Sequence, residues 1–115
     1  MIGDNTNVKL NISGDTLTAH ISGEIDHHSA KGIRECVDSA LISYSPDSFV
    51  MDLSGVSFMD SSGLGLVLGR YTKATDAHID FSLRGVDART ARIFDMAGLD
   101  RIISYKEKKK NEKDM

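Results

Sequence analysis

Apolar positions in this chain recur at two spacings, and the switch between them marks out the elements. Val8, Leu10 and Ile12 alternate with Lys9, Asn11 and Ser13. After the turn pair Gly14-Asp15, Leu17, Ala19 and Ile21 alternate with Thr18, His20 and Ser22. A period of two on both sides of a turn predicts a β-hairpin with one apolar and one wet face. Gly23-Glu24-Ile25-Asp26-His27-His28 then leads into a helix, capped by Asp26 or Ser29, whose stripe is Ile33, Val37, Ala40 and Leu41 with Cys36 at its edge. Tyr44-Ser45-Pro46-Asp47 ends it, and Pro46 is the only proline. Phe49 to Leu53 reads as a strand. Leu64, Val67, Leu68 and Tyr71 lie at helical spacing, and that helix runs to about Thr75.

Ile79, Phe81 and Leu83 alternate as a further strand. Gly85-Val86-Asp87 is a loop that ends in a cap, and Arg89 to Ala97 is a helix with Ile93, Phe94 and Ala97 inward. Gly98 is a natural stop. Arg101 to Ser104 is a short last strand. The charged run from Lys106 has no apolar period and reads as a solvated tail, so residues 1–105 form the domain and 106–115 the tail. The order β-β-α-β-α-β-α-β predicts an α/β fold. It has a mixed sheet, an antiparallel hairpin followed by β-α-β units with right-handed crossovers. Strands buried on both faces would be continuously apolar. The first, second and fourth strands alternate, so the helices are expected mainly on one face. Glu24–His28, Met59–Gly63 and Gly85–Asp87 then follow the carboxyl ends of parallel strands and are expected to share one rim.

Composition adds bounds. A chain of 115 residues with 40% hydrophobic and 27% charged residues is ordinary globular material for one domain. A net charge of -3 gives no reason to expect nucleic acid or an acidic membrane as partner. The single cysteine, Cys36, excludes an internal disulfide and suits a reducing compartment. No apolar run reaches transmembrane length, and Met1-Ile2-Gly3-Asp4-Asn5 lacks the regions of a signal peptide. The expected location is the cytoplasm.

The chemistry concentrates in Ser57-Phe58-Met59-Asp60-Ser61-Ser62-Gly63-Leu64-Gly65, a strand–loop–helix junction. Asp60, Ser61 and Ser62 are all good cap residues. With Asp60 as cap, Met59 can pack on Leu64 and Ser61 faces outward from the first turn; with Ser61 as cap, its oxygen is tied to backbone amides. In either case a hydroxyl stands at the positive end of a helix dipole, where a phosphate is tolerated. A nucleophile would need a base from His20, His27, His28 or His78, and there is no Gly-x-Ser-x-Gly elbow. Gly63-Leu64-Gly65 fits neither a P-loop nor a dinucleotide fingerprint. A phosphoacceptor is physically suitable. Adjacent His27 and His28 are poorly spaced for a metal. Glu24 and Asp26 fit a partner-binding rim without acid–base chemistry, and Met59 and Met96 are expected in the core.

Four segments together resemble a family: Gly23–His28, Phe58–Gly65, Leu68-Gly69-Arg70-Tyr71 and Phe94-Asp95-Met96-Ala97-Gly98-Leu99. From about Val8 to Ser104 the chain is similar to the STAS domain of bacterial anti-sigma factor antagonists, most of all to those that act in sporulation. The resemblance implies a phosphorylatable switch at Ser61, the first serine of Asp-Ser-Ser-Gly. It implies that the unphosphorylated form binds an ATP-dependent anti-sigma serine kinase, which then releases its sigma factor. Phosphorylation switches binding off and a serine phosphatase resets it. The chain would be substrate rather than enzyme, a monomer when free, with no cofactor of its own. Gly23, Glu24, Asp26, His27, His28, Met59, Asp60, Ser62, Gly63 and Arg70 are the partner-binding residues it implies. The competing expectations are a STAS docking module without a phosphoswitch and a small nucleotide hydrolase.

Overall fold

A computed structural model of the protein describes residues 7–107. The strands are β1 (Val8–Ser13), β2 (Thr16–Ile25), β3 (Ser48–Met59), β4 (Asp80–Val86) and β5 (Ser104–Glu107). The helices are α1 (His27–Tyr44), α2 (Ser61–Asp76) and α3 (Ala88–Met96), and a 3-10 turn spans Leu99–Arg101. Among the described residues the strands form one sheet in the order β1-β2-β3-β4-β5, antiparallel between β1 and β2 and parallel thereafter. Each parallel step moves one strand in the same direction, so right-handed crossovers place the three helices on one face.

That face is the core. Leu17, Ala19 and Ile21 of β2 and Phe49, Met51 and Leu53 of β3 point into it at a period of two. Ile33, Val37, Ala40 and Leu41 close it from α1. Phe49 and Phe81, cross-strand partners, hold their ring centroids 5.4 Å apart, and Tyr71 stacks on Phe81 at 6.2 Å. The opposite face carries Lys9, His20, Asp52 and Arg84, one row across four strands.

Several boundaries differ from expectation. The second and third strands reach Ile25 and Met59, well past Ser22 and Leu53. Their outer halves pair with each other through register shifts at His20/Ser22 and Gly23/Glu24. Gly23 adopts φ +81, and a Cβ on Gly55 would come 3.1 Å from the Ile21 carbonyl. A ladder irregular in this way breaks the alternation that betrays a strand. The last strand begins at Ser104, because Leu99–Arg101 turns as a 3-10 helix. It takes in Lys106 and Glu107; the rest of the charged run, 108–115, and the N-terminal segment 1–6 lie outside the described residues.

Two helix faces are also rotated from expectation. In α2 the buried line is Gly63, Leu66, Val67, Arg70 and Ala74, while Leu64, Leu68 and Tyr71 flank it half-buried. In α3 Thr90, Ala91 and Phe94 are buried. Ala97 is exposed and Met96 is 83% exposed, because the helix ends there and the chain turns away through Gly98 at φ +80. Met59 is in the core; Met96 is not.

Candidate functional site: a two-stranded lip with paired helix starts

The extra length of β2 and β3 creates the site. β3 continues from Asp52 to Met59, whereas β4 continues from its register partner Arg84 only to Val86. The difference is about five residues, roughly 16 Å at the strand rise. Gly85–Asp87 therefore does not share the rim expected from the sequence: Gly85 adjoins Ser54, at the base of the lip, where a Cβ would meet the Ser54 amide at 2.6 Å. The rim is built by β2 and β3 alone.

At the tip the two strands end in register, Ile25 opposite Met59, and each passes into a helix through a single aspartate. The Asp26 carboxylate accepts hydrogen bonds from the amides of His28 (3.0 Å) and Ser29 (2.9 Å). Ser29 Oγ accepts from the Asp26 amide at 3.1 Å and donates to the Glu24 carbonyl at 2.8 Å. Both cap candidates thus act together, as a capping box. The Ser29 amide is the main reason the Asp26 carboxyl lies below its ordinary pKa. Asp60 caps α2 more simply, its carboxylate accepting from the Ser62 amide at 2.7 Å. The Asp60 amide donates to the Ile25 carbonyl at 3.1 Å, which joins the two junctions.

With Asp60 as the cap, Ser61 is the first residue of α2 and is exposed, while Ser62 is half-buried. Beneath them Met59 fills the space above Gly63: a Cβ there would come 2.2 Å from Met59 Cγ. Glycine is required at that position by packing. Glu24, His27 and His28 are exposed around the two helix starts, and Gly23 shapes the strand below them. Gly23 to His28 and Met59 to Gly63 are thus brought together. His20 is bonded to Asp52 on the open face, and His78 lies beyond the far end of α2, about 25 Å away at the helical rise, so neither can serve Ser61 as a base.

Arg70 does not join the rim. It is 4% exposed, about 14 Å along α2 from Ser61, with Nε 2.8 Å from Asp38 Oδ1 of α1, an ion pair by distance whose geometry falls short of a hydrogen bond. Burial lowers its pKa, the Asp38 charge opposes that, and Arg34 adds to it. A guanidinium so enclosed links two helices and offers no surface to a partner.

A model of the STAS domain matches residues 7–114. The chain belongs to the STAS-domain family. An anti-sigma F factor antagonist of Paenibacillus polymyxa is 32% identical over 99 residues, covering 86% of this chain and 85% of the relative. An anti-sigma-B factor antagonist of Bacillus subtilis is 33% identical over 104 residues, covering 90% and 94%. The solved structure of the anti-sigma factor antagonist SpoIIAA in its unphosphorylated form superposes with a TM-score of 0.74 at 26% identity, covering 88% of this chain and 89% of SpoIIAA. SpoIIAA of Bacillus in its phosphorylated form gives 0.69, also at 26% identity, with 88% and 92% covered.

Two features of this STAS domain escaped the sequence reading. Phe58 is 47% exposed at the tip of the lip, although it lies in the stretch already singled out. On the open face Asp52 is held by His20 Nδ1 at 2.8 Å, Arg84 Nη2 at 3.3 Å and the Ser54 amide at 3.0 Å. Burial pushes the Asp52 carboxyl up, but these hydrogen bonds outweigh it and leave the pKa at about 2. The signal was present: each of the three side chains directly follows an inward residue, Ala19, Met51 and Leu83, and those three are register partners. Among the described residues no group of three or more His, Cys, Asp and Glu is placed to hold a metal, and no helix is long and apolar enough to cross a membrane.

Proposed function

We propose that this STAS domain is an anti-sigma factor antagonist switched by phosphorylation of Ser61. Unphosphorylated, it docks on an anti-sigma factor that is also an ATP-dependent serine kinase and so frees the sigma factor, a sporulation sigma factor in the reading favoured by the sequence. Phosphorylated, it no longer docks, and a serine phosphatase returns it to the binding form. The chain is the substrate of these reactions and acts in the cytoplasm.

The observation that carries this reading is the division of labour at the start of α2. Asp60 does the capping, so the Ser61 hydroxyl is exposed with no structural duty. A phosphate there adds close to two negative charges at a helix N-terminus, where the dipole favours them. The fold is therefore retained while the surface changes. The same charge falls beside the Asp60 carboxylate, on a rim that already bears Glu24 and Asp26, and any partner surface matched to the unmodified rim loses that match. The antagonist relatives and the existence of SpoIIAA in both forms support the reading.

The test is incubation with the anti-sigma kinase encoded in the same genome and ATP, followed by intact mass and site mapping. One phosphate on Ser61, absent from Ser61→Ala and retained in Ser62→Ala, is the expected result. A phosphate that persists in Ser61→Ala on Ser62 would overturn the assignment.

A further inference from the structure

Six large apolar side chains are markedly exposed among the described residues: Ile12, Ile42, Tyr44, Phe58, Met96 and Ile102. Single exposed hydrophobics are normal on a protein surface and need no explanation by themselves. Their distribution does. Ile12 pairs with Leu17 near the start of β2, Ile42 and Tyr44 end α1, and Met96 and Ile102 stand at and just beyond the end of α3. All five lie toward the end of the fold remote from Ser61. Phe58 alone stands at the rim, three residues before the phosphoacceptor.

The strand fixes where Phe58 points. Met59 is buried against Gly63 on the helix side, so its neighbour Phe58 faces the other side of the lip. Its register partner is Glu24, exposed, whose own neighbour Ile25 is fully buried on the helix side. An aromatic ring and a carboxylate thus stand together on the open side of the lip, held by a ladder that the Asp60–Ile25 bond closes. The molecule's other phenylalanines are spent on its interior: Phe49 and Phe94 are fully buried, and Phe81 is stacked between Phe49 and Tyr71.

We infer that Phe58 is the apolar anchor for the anti-sigma factor, inserted into an apolar pocket of that partner. This rests on the function proposed above and adds what holds the complex together. A ring presented on paired strands loses little freedom on binding, and a few desolvated side chains near the centre of an interface, aromatic ones prominent among them, commonly carry most of its energy. Ser61 follows three residues later at the same tip, so a phosphate there sets a strongly hydrated dianion beside a surface that must give up its water to seat the ring.

The experiment is titration calorimetry of the unphosphorylated full chain with the anti-sigma factor, for the natural protein and for Phe58→Ala and Phe58→Leu, with a thermal melt of each. Phe58→Ala should bind roughly tenfold or more weakly, and Phe58→Leu between it and the natural protein, both with melting temperatures close to the natural one. Natural affinity in folded Phe58→Ala or Phe58→Leu would overturn the anchor while leaving the phosphoswitch intact. A natural protein that fails to bind the anti-sigma factor would overturn both.

Discussion

The amide of Asp60 donates to the carbonyl of Ile25 at 3.1 Å, and that bond makes two helix starts into one surface. Each strand hands over to its helix through one aspartate, and because the strands are parallel neighbours the two caps stand side by side. Ser61 owes its exposure to this arrangement.

The caps can be weighed directly. Asp60→Ala should lower stability in a denaturant titration by about 0.5–2 kcal/mol, and Asp26→Ala should lower it as well. Asp60→Asn should recover most of the loss, since an amide oxygen can still accept from the Ser62 amide. A loss for Asp60→Asn equal to that for Asp60→Ala would mean that charge rather than capping matters at this position.

The two glycines that follow should respond in opposite directions. Gly63→Ala drives a methyl into Met59 and should cost roughly 1–3 kcal/mol. Met59→Ala should make the same change at Gly63 much cheaper, a coupling read by a double-mutant cycle. Gly65 has nothing within 4 Å of an added Cβ, so Gly65→Ala should stabilise the helix by up to about 1 kcal/mol. Equal effects at both positions would contradict the packing described.

Acid should act through Asp52. Its pKa of about 2 lies below the ordinary 3.8, so its contribution is fully present above pH 3.8 and is lost as pH falls through 2. The full shift corresponds to roughly 2 kcal/mol. His20 and Arg84 are both half in water, which reduces the expected value to about 1 kcal/mol. Stability measured from pH 5 to pH 2 should fall less steeply in Asp52→Asn than in the natural protein. Parallel curves would remove Asp52 from the account.

Arg70 should prove structural. Arg70→Ala leaves Asp38, itself partly in water, without its partner and should destabilise in a denaturation curve by less than the roughly 3–5 kcal/mol of a fully buried pair. The paired replacement Arg70→Met with Asp38→Leu should be much closer to neutral. A well-folded Arg70→Ala protein with selectively lost partner binding would return Arg70 to the rim.

Much of this was legible in the sequence. The hairpin, the strand–helix order and the one-sided placement of the helices follow from alternation and from the right-handed crossover. The family segments were legible as well, and two of them, Gly23–His28 and Phe58–Gly65, frame the lip. The lip itself was not, because Ser54, Gly55 and Ser57 carry no apolar alternation and their pairing with β2 runs through bulges. That lost length also hid the separation of Asp87 from the rim. Arg70 misled for a related reason: a charged residue on a helix reads as surface, and only the approach of Asp38 from α1 makes its burial possible. His20, Asp52 and Arg84 are distant in sequence and meet only through register.

The central claim is that one phosphate on Ser61 separates two binding states of an intact fold. The most direct test is the dissociation constant of the anti-sigma factor for this protein before and after stoichiometric phosphorylation at Ser61, with circular dichroism of both forms. At least a tenfold weaker affinity for the phosphorylated form, with unchanged spectra, is the expected result. Equal affinity of the two forms would contradict the account.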